Sequence, residues 1–162
     1  MAEAPKFDPL GVLAALDRHR VTYIVVGAFA RVVQGAEEVT RGVDIVPSTR
    51  PENLRRLNQA LVDLNSSGPA LDEDGLAREL VYEFATGRGE LKVVPEPEGT
   101  RGYDDLRRAA TREPLGRGVR PSVASTADLA RMLAALGRDE DIPKLMALRR
   151  LMELERGLAL EL

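Results

Sequence analysis

Two short apolar runs constrain this chain more than any other feature: "VTYIVVG" at 21–27 and "VDIV" at 43–46. Runs rich in β-branched residues read as buried strands, because branched side chains pack well on a pleated surface. The first run ends in Gly27, which permits a sharp turn. "AFARVVQG" follows as one or two helical turns ended by Gly35, and the second strand stops at Pro47. A strand, a glycine turn, a short helix and a second strand are therefore set in the first third of the chain.

The remaining segments extend this pattern. Residues 8–19 read as an opening helix, with Asp8 as cap, Pro9 in the first turn and Leu10, Leu13 and Leu16 at helical spacing. Residues 48–68 hold a longer helix with Leu54, Leu57, Leu61 and Leu64 on one face. The acidic stretch 69–77 reads as a surface loop. "ELVYEFAT" and "ELKVVP" form strands joined by the turn "GRG", a hairpin. "YDDLRRAA" is a short helix, and "TREPLGRGVRPSVAS" holds one or two short strands. "STADLARMLAALG" opens with a capping box, Ser125 with Asp128, and 139–160 is a final amphipathic helix. The fold class is α/β (α+β): a mixed sheet covered by helices. The expected organisation is a single domain over 1–162, with a C-terminal helical part from about 125 to 162.

Composition narrows the function classes. There are 162 residues, a net charge of −3, 44% apolar and 30% charged residues, and no cysteine. Disulfides, thiolate metal sites and cysteine nucleophiles are excluded, and one histidine, His19, makes a zinc site improbable. No apolar run reaches membrane-spanning length, and the start lacks the basic-then-apolar pattern of a signal peptide, so a cytoplasmic location without membrane contact is expected. Only three basic residues are lysine, which makes Lys92, inside a strand, conspicuous.

The order of strand, "GAFA", short helix and "TRGVDIV" strand, followed by "VVPEPEGTRGYDDL", resembles the nucleotidyltransferase fold of the DNA polymerase β superfamily. It looks most like the small prokaryotic, bacterial-type nucleotidyltransferases, including toxin members of toxin–antitoxin pairs. The resemblance runs from about Tyr23 to Arg150. It implies a glycine turn whose amides approach phosphates, a strand carrying Thr-x-Asp-h-Asp with h apolar, and a third acid on a later strand. Two acids at i and i+2 share a strand face, and with the third they cage Mg²⁺. The metals then stabilise charge on the transferred phosphate.

Matched position by position, the set is depleted. Gly27 is present, Ala28 replaces a second Gly or Ser, and Thr40 matches the threonine. Gly42 stands at the first acid, Asp44 matches the second, and Lys92 stands at the third. Leu133 stands where a lysine is common. The resemblance thus makes Gly27, Ala28, Thr40 and Lys92 the cofactor-binding positions and Asp44 the remnant catalytic acid and metal ligand. Glu90, two residues before Lys92, is the candidate substitute acid.

One carboxylate does not hold two divalent ions, and a lysine beside it repels them. The expectation is therefore a catalytically degenerate protein, a pseudoenzyme that binds a nucleotide, a protein partner or a second copy of itself, with no cofactor. One rival is an active enzyme that uses Mg²⁺ to transfer a nucleotide from an NTP to RNA or protein, as in toxin–antitoxin systems. Another is an antitoxin-like or structural interaction protein. Strands near 21–26, 43–46, 80–86 and 90–95 should share one sheet, with Asp44 and Lys92 on one face and joined as an ion pair that replaces the metal. The arginines between 101 and 120 read as a solvated surface rather than an RNA site. Leu145, Leu148, Leu151, Met152 and Leu158 read as core, and the tail "GLALEL" as a segment able to pack on a second copy.

Overall fold

The computed structural model describes residues 7–161. Helix α1 (Pro9–Arg18) begins where Asp8 accepts a hydrogen bond from the Gly11 amide, with proline in its first turn. Strand β1 (Tyr23–Val26) is buried throughout and runs directly into α2 (Gly27–Val33). Strand β2 (Gly42–Pro47) leads into α3 (Pro51–Asp63), whose Leu54, Leu57 and Leu61 are buried together with Leu64 just beyond it. Strands β3 (Tyr82–Thr86) and β4 (Gly89–Val93) form the hairpin. A short α4 (Tyr103–Leu106) and two minimal strands, β5 (Thr111–Arg112) and β6 (Ser122–Val123), precede α5 (Thr126–Leu136). After a 3-10 turn (Asp139–Asp141), α6 spans Ile142–Glu161.

The six strands make one mixed sheet in the order β3-β4-β2-β1-β6-β5. β2 is antiparallel to β1 and parallel to β4, and β6 joins the other edge of β1 in parallel. Asp44 lies in register with Val26 on one side and with Lys92 on the other, so Asp44 and Lys92 share a face as expected. Neighbouring Val43 and Ile45 are fully buried on the opposite face. α1 packs on α3, β2 and β4, while α2 packs on β1, β2 and α5. One contiguous apolar core links α1 through the sheet to Leu148 of α6.

Four sequence expectations need correction. The strand expected from residue 79 starts at Tyr82, because its partner β4 ends at Val93 opposite it. Val94 still donates to the Ile45 carbonyl, but Pro95 has no amide to continue the ladder. The loop at 69–77 is not wholly superficial: Leu71 is buried and held through its own amide and carbonyl by the Asn58 side chain. Leu158 is 63% exposed rather than core. α6 outruns α5, since Glu155 already accepts a hydrogen bond from Thr126 at the start of α5. The side chains of 159–162, on which the dimerising tail was placed, lie outside the described residues. The expected Asp44–Lys92 ion pair, direct or through one water, is not made in its direct form, because Lys92 lies against Glu83 instead. Among the described residues, no helix is long and apolar enough to cross a membrane.

Candidate functional site

The site begins with a single glycine. Gly27 has φ +72, a conformation that a side chain disfavours, and a Cβ there would run into the Asp44 carboxylate. Glycine therefore does two things at once. It turns β1 into α2, and it lets the acid of the neighbouring strand tuck beneath the first helical turn. α2 has no side-chain cap, so its first amides are left free of one. Ala28 follows with a small side chain.

A cavity of about 350 Å³ opens over this turn. Its floor is Gly27, Ala28, Arg31 and Asp44. One wall is apolar, made by Val26 and by Leu129, Met132, Leu133 and Leu136 of α5. The rim is charged: Arg78 and Glu79 before β3, Glu96 and Glu98 after β4, and Arg138 beyond α5. Arg131 fixes the rim loop by binding Asp105 through two nitrogens at 3.0 and 3.2 Å and the Gly99 carbonyl at 3.2 Å.

Asp44 is largely buried and accepts no hydrogen bond from any described residue. Burial pushes its carboxyl above the usual carboxylate range, while Lys92 and Arg31 pull it down and Glu83 and Glu90 push it up. Lys92 does not reach Asp44. Its Nζ lies 3.8 Å from Glu83 on β3, and the lysine side chain is 41% exposed. β3 offers a carboxylate directly beside Lys92, since Glu83 is its register partner, and that exposed acid is reached without burying the ammonium. Arg31, the other nearby cation, is buried and held by Glu38 through contacts of 2.6 and 3.0 Å from Nε and Nη2.

The remaining predicted positions separate. Gly42 sits beside Glu90, so close that a Cβ would lie 2.8 Å from the Glu90 carbonyl oxygen and 2.9 Å from its Cβ. Glu90 is on the same sheet face as Asp44 but exposed, two register positions away, and outside the cavity lining. Thr40 spends its hydroxyl on Gly42, donating to the carbonyl at 2.9 Å and accepting from the amide at 3.4 Å. Leu133 does line the cavity and is buried in its apolar wall.

The structure thus brings Gly27, Ala28 and Asp44 together, keeps Lys92 and Glu90 on the same face outside the cavity, and sets Thr40 apart. Arg31 and its partner Glu38 were missed by sequence reading, as were the rim acids' supports. Arg31 lies in an unremarkable helical run, and its pairing with Glu38 across the α2–β2 loop leaves no periodic signal. The residues present do not fit a two-metal centre: among the described residues, no three of the acid or histidine side chains converge to hold an ion.

No protein-family model matches the chain, and no curated protein matches it. A solved structure does. A Thermotoga maritima protein, described as "a putative nucleotidyltransferase", superposes with a TM-score of 0.58 over 88% of each chain, at 16% identity. The chain has a nucleotidyltransferase-like fold. The cavity lies where the β1–α2 turn at Gly27 meets Asp44 of β2.

Proposed function

We propose that this chain is a non-catalytic binding protein built on the nucleotidyltransferase-like fold, with a pocket kept and its metal-holding acids gone. The observation that carries this reading is the backing of Gly42 onto Glu90. The strand position that would supply a second carboxylate beside Asp44 has no room for a side chain unless β4 moves. A lone, desolvated carboxylate cannot collect two strongly hydrated divalent ions. Lys92 adds a positive charge near Asp44 that opposes any cation placed between them.

The test is direct. The purified protein, given each of the four NTPs with Mg²⁺ or Mn²⁺ and with RNA or bulk protein as acceptor, is expected to release no pyrophosphate and to label nothing. Reproducible labelling that Asp44→Ala abolishes would sink the reading and restore the enzyme.

A protein partner is favoured by a separate observation. Met146, Leu154 and Leu158 of α6 are 62%, 58% and 63% exposed, an unusual density of bare apolar side chains on one helix. In this second reading the chain self-associates or pairs through α6. Sedimentation of the wild type against Leu154→Glu decides it, with a lighter species expected for the variant and identical profiles refuting it.

A further inference from the structure

We propose that the pocket over Asp44 takes an organic cation, a small molecule with an ammonium or guanidinium head and an apolar body. This rests on the reading of the pocket as a binding site. It deepens that reading by naming the ligand's charge and shape.

The argument is one of charges still open to a ligand. Seven charged side chains line the cavity: Arg31, Arg78, Arg138, Asp44, Glu79, Glu96 and Glu98. Two of the three arginines are engaged with acids outside the cavity. Arg31 is held bidentately by Glu38, and Arg138 lies 2.6 Å from Asp141 and 3.5 Å from Glu140. None of those three acids lines the cavity. Arg78 reaches only Glu96, at 3.7 Å. Asp44, Glu79 and Glu98 have no ion-pair partner among the described residues. Lys92 is matched by Glu83. The cavity therefore offers three open carboxylates and no open cation.

Geometry gives the rest. Asp44 sits on the floor beneath the α2 turn, largely buried but open to the cavity, with no hydrogen bond from the described residues. A buried polar group left this way is costly, and a cationic donor relieves it with a charge-assisted hydrogen bond. Above it stands the wall of Leu129, Met132, Leu133 and Leu136, which receives an apolar body rather than a second polar group. The volume of about 350 Å³ is at the small end of the range for small-molecule sites, about 300–1,000 Å³. A triphosphate meets Asp44 as a like charge, with each lining arginine already paired to an acid.

The experiment is calorimetric titration of the full chain with three isosteres: phenethylammonium, neutral phenethyl alcohol and anionic hydrocinnamate. ATP without metal is the fourth probe. Phenethylammonium is expected to bind at least about tenfold more tightly than the other three. Asp44→Asn should weaken it about tenfold and leave the alcohol unchanged, while Glu98→Gln, on the exposed rim, should cost only about two- to threefold. Glu98 is exposed, so that variant folds even if the Asp44 variant does not. Leu133→Lys should remove the preference for the cation. Equal or tighter binding of hydrocinnamate, or ammonium binding indifferent to both Asp44→Asn and Glu98→Gln, overturns the proposal. The outcomes separate cleanly. NTP turnover would sink the non-catalytic reading and leave the amine titration standing, whereas absence of amine preference sinks this inference alone.

Discussion

The two ends of β2 treat their polar groups in opposite ways. At the far end, where the strand leaves at Pro47 and Ser48, one buried side chain closes every loose valence. Asn53 of α3 accepts from the Thr22 amide at 2.7 Å and donates to the carbonyls of Thr22 and Ser48 at 2.9 and 2.7 Å. At the near end, Asp44 is also largely buried, yet no described residue donates to it and its carboxylate opens onto the cavity. Both ends face the same desolvation problem, and only one of them solves it internally. A polar group that the fold leaves open beside a cavity is the mark of a site, and the Asn53 node shows that this fold is able to do otherwise.

The largest effect expected from breaking this contrast comes at the pocket floor. Glu38 holds Arg31 through two contacts, so the guanidinium acts on Asp44 only as a nearby charge and not through a hydrogen bond. Glu38→Ala leaves a buried guanidinium unpaired and should cost about 3 kcal/mol, near the lower end for breaking a buried pair because both side chains keep a little solvent. For a chain of this size that is a fall in Tm of about 6–12 °C. Arg31 is then free to turn to Asp44, so the near end becomes satisfied in the manner of the far end. The cation preference of the pocket should vanish with it. A melting temperature within a degree of wild type would show that the Arg31–Glu38 pair carries no such burden.

The next effect in size is at the far end. Asn53→Ala leaves the Thr22 amide and the Ser48 carbonyl without this partner, while the Thr22 carbonyl keeps the Ser48 amide, a loss of about 2 kcal/mol. Urea unfolding should show a lower midpoint with an unchanged slope. The pocket lies at the other end of the strand, so ligand binding by the folded variant should match the wild type. A change in binding preference would mean that the two ends are coupled through β2 and cannot be compared as separate solutions.

Much of this was legible in the sequence, for identifiable reasons. The β-branched runs, the Asp8 cap, the Ser125 capping box and the leucine face of α3 are local signals, and each element stands where its signal placed it. The shared face of Asp44 and Lys92 was implied by the family resemblance in element order and acid positions, and the β2–β4 register places them so. What could not be read were choices between partners. Lys92 had Asp44 on one neighbouring strand and Glu83 on the other, and only the assembled sheet shows that the exposed acid of the hairpin takes it. Arg31–Glu38 and the Asn53 node join segments by side chains with no periodicity between them. The exposed end of α6 depends on how far α5 extends beside it, a matter of packing rather than pattern.

The smallest effect is the most diagnostic, because its sign is unusual. Most aspartates in folded proteins gain partners and stabilise at neutral pH. Asp44 has its carboxyl raised, chiefly by burial, so the native chain holds its proton to higher pH than the unfolded chain does. The unfolded value is about 3.9. Stability from this group therefore falls as pH rises from there through the folded value, and the penalty is complete once the pH lies above that value. Asp44→Asn removes it. The variant should melt above the wild type near neutral pH by an amount worth no more than about 1 kcal/mol, and the gap should close as the pH is lowered toward 4. Lys92→Ala changes stability by only about 0–1 kcal/mol, since the lysine belongs to an exposed pair with Glu83. It should also widen the gap between Asp44 and its asparagine variant, because Lys92 is the largest influence holding the Asp44 carboxyl down. An Asp44→Asn variant that melts below the wild type at neutral pH would mean that the carboxylate is already satisfied within the fold, and the contrast between the two ends of β2 would be lost.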